Sequence, residues 1–178
     1  MRRHHDRHHR RSIRLKDYDY SQAGYYFVTI CAQDRASLFG KIIDGEMRLN
    51  RLGCIVNDCW RWLSRQYPYV KLGAWVVMPN HLHGIVVITD GNVCGGGSRT
   101  APTPGVPRRK GLGRLIGAFK TVSAKEINKI INSPGKRIWQ RSFHDHIIRN
   151  DTELHRIREY ILNNPLKWHL DKNNPINL

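Results

Sequence analysis

Acidic residues are scarce in this chain: 14 Asp and Glu stand against 30 Lys and Arg, a formal net charge of +16 over 178 residues. A surplus of that size points to a polyanion as partner, and nucleic acid is the commonest one. Long apolar runs are missing as well. No stretch approaches the ~20 apolar residues of a spanning helix, so no membrane role is expected. The opening residues, MRRHHDRHHRRSIRLK, contain no apolar core of the kind a secretory signal carries. Cysteine is sparse. Cys31, Cys54, Cys59 and Cys94 form no CxxC pair, which excludes a zinc ribbon and a thioredoxin motif. They read as reduced cysteines of a cytoplasmic protein. Gly111-Leu112-Gly113 has neither a feeding strand nor dinucleotide-binding spacing, and no small-molecule substrate is expected.

What is present is a globular composition, 40% hydrophobic, in a chain long enough for one domain with a core. Residues 1–20 read as a basic, His-rich arm. Its first 16 residues bear Arg2, Arg3, Arg7, Arg10, Arg11, Arg14 and Lys16 against the single acid Asp6, and the arm is expected to stay disordered until it meets a partner. Residues 21–168 read as the catalytic domain and 169–178 as a C-terminal tail. Within the domain, GYYFVTIC (24–31) is a strand by its aromatic and β-branched content. KIIDGEMRL (41–49) is a small hairpin around Asp44-Gly45. Helical spacing runs over 50–66, and KLGAWVVM (71–78) and HLHGIVVI (81–88) are two strands joined at Pro79-Asn80. A flexible Gly/Pro loop covers 89–110, and a second amphipathic helix covers 112–131. SFHDHIIR (142–149) is the last strand. Asn150 and Glu153 suggest a capping box for a final helix that ends before Pro165. Apart from the small hairpin the order is β-α-β-β-α-β plus a helix. This is an α+β, ferredoxin-like antiparallel sheet, whose first and third strands lie in the middle.

His81 and His83 share one face of the third of these strands, while Leu82, Val86 and Ile88 share the other. The 50–66 and 112–131 helices should cover the second face, leaving the final helix above the histidines. Two buried imidazoles need partners, because an unpaired buried polar group costs roughly 1–3 kcal/mol. A metal ion would satisfy both, and so would ordinary hydrogen bonds near a hairpin turn. Tyr160 and Asn164, four residues apart, lie on one face of the final helix. Tyr160 beside Ile157 and Ile161 also reads as core packing, and Asn164 before Pro165 as a helix C-cap.

Three blocks, WVVMPNHLHGIV, WQRSFHDHIIRN and EYILNNPLKW, occur in this order and spacing. Together they resemble the single-tyrosine transposases of the HUH superfamily, and among those the REP-associated tyrosine transposases. The resemblance covers about residues 24–168. It implies that His81, His83 and Asn164 are metal ligands and that Tyr160 is the nucleophile, on a ferredoxin-like fold with the His-x-His strand central. It also implies Mg²⁺ or Mn²⁺, and single-stranded DNA bearing hairpins (REP-like or insertion-sequence ends) as substrate. The reaction would be nicking and strand transfer through a 5′-phosphotyrosine. The protein would be a monomer or homodimer, cytoplasmic and nucleoid-associated.

No acid interrupts the chain between Arg99 and Lys125, so Arg108, Arg109, Lys110, Arg114 and Lys120 join the arm as candidate phosphate contacts. The competing reading is a non-catalytic, RRM-like nucleic-acid-binding protein, a domesticated transposase relative. That module places stacking aromatics where this strand has histidines, and the K/R-G-F/Y-G/A-F pattern is absent. A zinc deaminase would need His-x-Glu and Pro-Cys-x-x-Cys, and both are missing.

Overall fold

The computed structural model describes residues 15, 18–90 and 109–177. The basic side chains Arg2 to Arg14, Lys16, Arg99 and Arg108, together with Cys94, lie outside them. Among the described residues six strands and three α-helices follow in order: β1 Gly24–Cys31, β2 Gly40–Ile43, β3 Glu46–Leu49, α1 Arg51–Gln66, β4 Val70–Val77, β5 His81–Ile88, α2 Leu112–Ile130, β6 His144–Ile148 and α3 Asp151–Leu162. The main sheet has the order β4-β5-β1-β6 and is antiparallel throughout. With the β2–β3 ribbon set aside, this is the expected α+β ferredoxin-like arrangement, and the His-x-His strand β5 is central beside β1. The small hairpin turns at Asp44 (φ 52°) and Gly45 (φ 75°), the left-handed pair that a tight two-residue turn requires.

Local signals set the helix starts. Asn50 caps α1 by accepting from the backbone N–H of Leu52 and Gly53. Asn150 caps α3 by accepting from Glu153 N–H, and Glu153 reaches back to Arg149 N–H, one residue earlier than an ideal capping box.

The two faces of the sheet are covered differently. On one, Tyr26, Val28, Ile30, Leu82, Val86 and Ile88 meet Val56, Trp60 and Leu63 of α1 and Leu115, Ile116 and Phe119 of α2. Gly84 permits this packing: a Cβ there would stand 2.6 Å from Trp60 Cζ2, so any side chain would push the indole off the strand. On the other face a smaller cluster, Ile85, Ile148, Leu154, Ile157 and Ile161, holds α3 against the sheet. α3 therefore lies above the histidine face, as the strand alternation required. Residues 169–178 were expected as a tail, yet Asp171, Asn173 and Asn174 are buried.

Candidate active site

The antiparallel register sets Cys31 opposite His81 and Thr29 opposite His83. Both imidazoles are buried, at 0% and 2% exposure. Their Nε2 atoms lie 2.9 Å apart. His81 Nδ1 is 2.8 Å from Asn80 Oδ1, and His83 Nδ1 is 2.8 Å from Thr29 Oγ1. The Phe27 ring, one strand over, stacks on His83 with centroids 5.5 Å apart and meets Tyr160 edge-on at 6.0 Å. Trp168 tilts over His81 at 5.9 Å. These aromatic walls restrict ring rotation and keep water from most of the pair.

α3 brings Tyr160 down on this pair. Its hydroxyl lies 3.2 Å from His83 Nε2, while 44% of the residue remains exposed. Asn164 is also brought to the site, in a particular way. Its Nδ2 donates to Asp171 Oδ2 at 3.2 Å, and its Oδ1 is buried without a hydrogen-bond partner among the described residues. Asp171 was not anticipated from sequence. Its Oδ2 lies 3.9 Å from His81 Nε2 and 4.0 Å from His83 Nε2. These gaps are too long for direct hydrogen bonds and leave the three groups facing a common point.

The electrostatics match this geometry. Burial pushes His81 below the ordinary histidine value of 6.5; His83 adds to the shift and Asp171 opposes it. Burial does the same to His83, again against the pull of Asp171. Burial would raise the Asp171 carboxyl. That effect is outweighed by His83, by the Asn173 N–H that donates to Oδ1 at 2.6 Å, by His81 and by Asn164, which hold the group well below the carboxylate range. The result is two neutral imidazoles and one ionised carboxylate, whose Nε2 atoms and Oδ2 converge beside an orphaned amide oxygen. The ligand atoms of His81, His83 and Asp171 lie within 4.8 Å of one another. A nitrogen-and-oxygen set of this kind fits a divalent cation. Tyr160 is pushed above its ordinary value of 10, first by burial and then by the Asp171 charge, with Asn164 opposing.

Beside the histidines opens a cleft of about 460 Å³, whose walls include Phe27, Arg35, His83, Phe143, Tyr160 and Lys172. It is aromatic and basic at once, with Tyr160 in its wall. The basic residues proposed from sequence fall into three groups. Arg109 and Lys110 are exposed at the start of α2; Arg109 pairs with Asp90 at 3.6 Å, and Lys110 Nζ donates to Tyr67 Oη at 3.2 Å. Arg114 is exposed on the first turn of α2. Lys120 points inward and donates to the carbonyls of Gln140 and Ser142 at 2.8 and 2.9 Å, bracing the approach to β6. The free cysteines among the described residues are Cys31, Cys54 and Cys59, and no described helix is long and apolar enough to cross a membrane.

Comparison with known proteins agrees with the geometry. No family model matches the chain. An uncharacterized Haemophilus influenzae protein is 40% identical over 170 residues, covering 93% of each chain. A second protein of that organism, provisionally named a REP-associated tyrosine transposase, is 24% identical over 157 residues, 84% of this chain and 74% of its own. Among solved structures, a REP-associated tyrosine transposase bound to a REP hairpin superposes with a TM-score of 0.60 at 21% identity, over 90% of this chain and 77% of that one. The fold is therefore a transposase fold. More particularly, the chain resembles the REP-associated tyrosine transposases, and it belongs to one family with the 40% identical protein.

Proposed function

We propose that this protein nicks and rejoins single-stranded DNA at hairpin-bearing sites, using Tyr160 as nucleophile and a divalent metal, Mg²⁺ or Mn²⁺. The observation that carries this reading is the Tyr160 hydroxyl 3.2 Å from His83 Nε2, at the edge of a buried His-His-Asp set. His81, His83 and an oxygen from the Asp171–Asn164 pair would hold the ion. When bound, the ion would supply Lewis-acid stabilisation of charge on the scissile phosphate. The protein supplies the rest. Phe27 and His83 fix the Tyr160 ring, and α3 aims its oxygen into the cleft. Arg35 and Lys172 offer positive charge to the flanking phosphates, and Phe27 and Phe143 offer ring faces to the bases.

In-line attack forms the bond from Tyr160 oxygen to phosphorus and breaks the bond to the 3′-oxygen. The products are a 5′-phosphotyrosine and a free 3′-hydroxyl. Attack by another 3′-hydroxyl on the phosphotyrosine restores Tyr160 and joins strands, so no nucleotide triphosphate is consumed. A hairpin substrate is supported by the REP hairpin held by the structurally similar transposase. Phosphate contacts from the N-terminal arm and from Arg108, Arg109, Lys110 and Arg114 would add salt-sensitive affinity.

The test mixes the protein with Mn²⁺ and 5′- or 3′-labelled hairpin oligonucleotides and looks for a denaturant-resistant adduct. An adduct at Tyr160 that EDTA prevents is the expected result. Binding without any adduct would favour the domesticated, non-catalytic reading.

A further inference from the structure

Asn80 precedes the first histidine and is fully buried. Its amide nitrogen donates to two backbone carbonyls, Arg35 O at 3.0 Å and Asn173 O at 2.7 Å. Carbonyl oxygens only accept, so the NH₂ end of this amide is identified without ambiguity. Reversing the amide would lose both bonds and set three oxygens against one another. The remaining end, Oδ1, therefore faces His81 Nδ1 at 2.8 Å. An amide oxygen also only accepts, so Nδ1 must carry the hydrogen. A neutral imidazole has one N–H. His81 Nε2 then presents a bare lone pair toward His83 and Asp171.

His83 has a different kind of partner. The Thr29 hydroxyl at Nδ1 rotates, and can donate or accept. With His81 Nε2 bare and 2.9 Å away, the metal-free arrangement that pairs both imidazoles has His83 Nε2–H donating to His81 and Thr29 O–H donating to His83 Nδ1, and Tyr160 Oη, 3.2 Å from that Nε2, can then only accept from it. Freeing His83 Nε2 for a cation requires only a tautomer exchange. The ring proton leaves Nε2, a proton is taken up at Nδ1, and the Thr29 hydroxyl turns to accept it. No net charge is gained or lost.

We infer that Asn80 is a positioning residue that locks His81 as a ready-made Nε2 ligand, whereas Thr29 lets His83 switch between a hydrogen-bonded and a ligating tautomer. This rests on the metal reading above. It also gives the C-terminal segment a part in the site, because one of the two carbonyls that orient Asn80 belongs to Asn173, next to the segment's Asp171. The site would thus be assembled by three distant pieces of chain: the turn at Arg35, the start of β5 and residues 171–173.

Long-range ¹H–¹⁵N NMR of the full-length protein labelled with ¹⁵N-histidine reads the tautomers directly. In EDTA, His81 should carry its proton on Nδ1 and His83 on Nε2; saturating Mg²⁺ should leave His81 unchanged and move the His83 proton to Nδ1. Asn80→Ala should show mixed His81 tautomers and a 10–100-fold weaker Mn²⁺ affinity by calorimetry, the usual effect of losing an outer partner of a ligating histidine. Asn80→Asp keeps an acceptor at Nδ1 but sets its second oxygen against the Arg35 and Asn173 carbonyls, so it should retain the single His81 tautomer while lowering the unfolding free energy. A wild-type His81 protonated on Nε2 in EDTA overturns the inference, as does wild-type Mn²⁺ affinity in a folded Asn80→Ala. If His81 shows the Nδ1–H tautomer but the wild type binds no Mn²⁺, the lock stands and the metal reading is what fails.

Discussion

The two faces of the central sheet do different work with the same strands. β5 turns Leu82, Val86 and Ile88 to α1 and α2, and His81, His83, Ile85 and Val87 to α3. The α1–α2 side is a continuous core anchored by Trp60, Phe119 and Tyr26, all fully buried. The α3 side carries a small apolar cluster at one end and a polar set at the other. Most of the hydrophobic burial that stabilises the fold lies on the first face, so the second can hold buried polar groups without losing the structure. The contrast teaches that stability and chemistry are separable here by face.

The largest effect that would test this separation is expected from Tyr160→Phe. Adduct formation should vanish, while hairpin affinity and melting temperature stay near wild type, since the ring still meets Phe27. An adduct persisting in this variant would show that another residue attacks. Trp60→Ala, on the opposite face, should do the reverse. Loss of the buried indole should cost about 3–5 kcal/mol in urea unfolding, with cleavage per folded molecule retained at low temperature. Unchanged stability would mean that the α1 side is not the dominant core.

Asp171→Asn keeps the shape of the site and removes the carboxylate charge. Mn²⁺ affinity measured by calorimetry should fall by more than about 100-fold, beyond what losing an outer partner costs. Retention of wild-type affinity would transfer the oxygen ligand to Asn164, the residue first expected in that role.

The smallest effect concerns acid. His81 and His83 titrate below 6.5 when folded and at about 6.5 when unfolded, so the unfolded chain binds the extra protons. Their contribution to stability is complete above that value and is lost as pH falls from it toward their folded values. Asp171, held low as well, extends the loss below about pH 4. In EDTA, unfolding free energy should fall between pH 7.5 and 5, by at most about 1.4 kcal/mol per pH unit per histidine. His83→Gln should flatten that slope, and a slope identical to wild type would assign the acid sensitivity elsewhere.

Much of the site lay in local pattern. Alternation along 81–88 placed the histidines together and opposite Leu82, and 3.6-residue periodicity set Tyr160 on the face of α3 that overlies them; Asn164, expected on the same helix, instead lies in the turn beyond its end at Leu162. Asp171 was not legible. It follows Pro165 in a short segment with no periodicity, and its burial comes from contacts with residues almost a hundred positions earlier. Lys120 read as a candidate phosphate contact because nothing local shows the carbonyls of Gln140 and Ser142 that accept from it. Asn80 read as a turn residue, which it is, and its side-chain role needed Arg35 and Asn173 in place.

Strand and helix identity thus followed from side-chain spacing along regular backbone, the central position of β5 from the β-α-β-β-α-β order of the elements, and the pairing of histidines with tyrosine from that layering together with the family resemblance. The carboxylate, the amide that orients His81 and the cleft beside Tyr160 were decided only by tertiary structure. They arise where the β1–β2 turn, the start of β5 and the C-terminal segment meet, and no one-dimensional period encodes the meeting of segments so far apart in the chain.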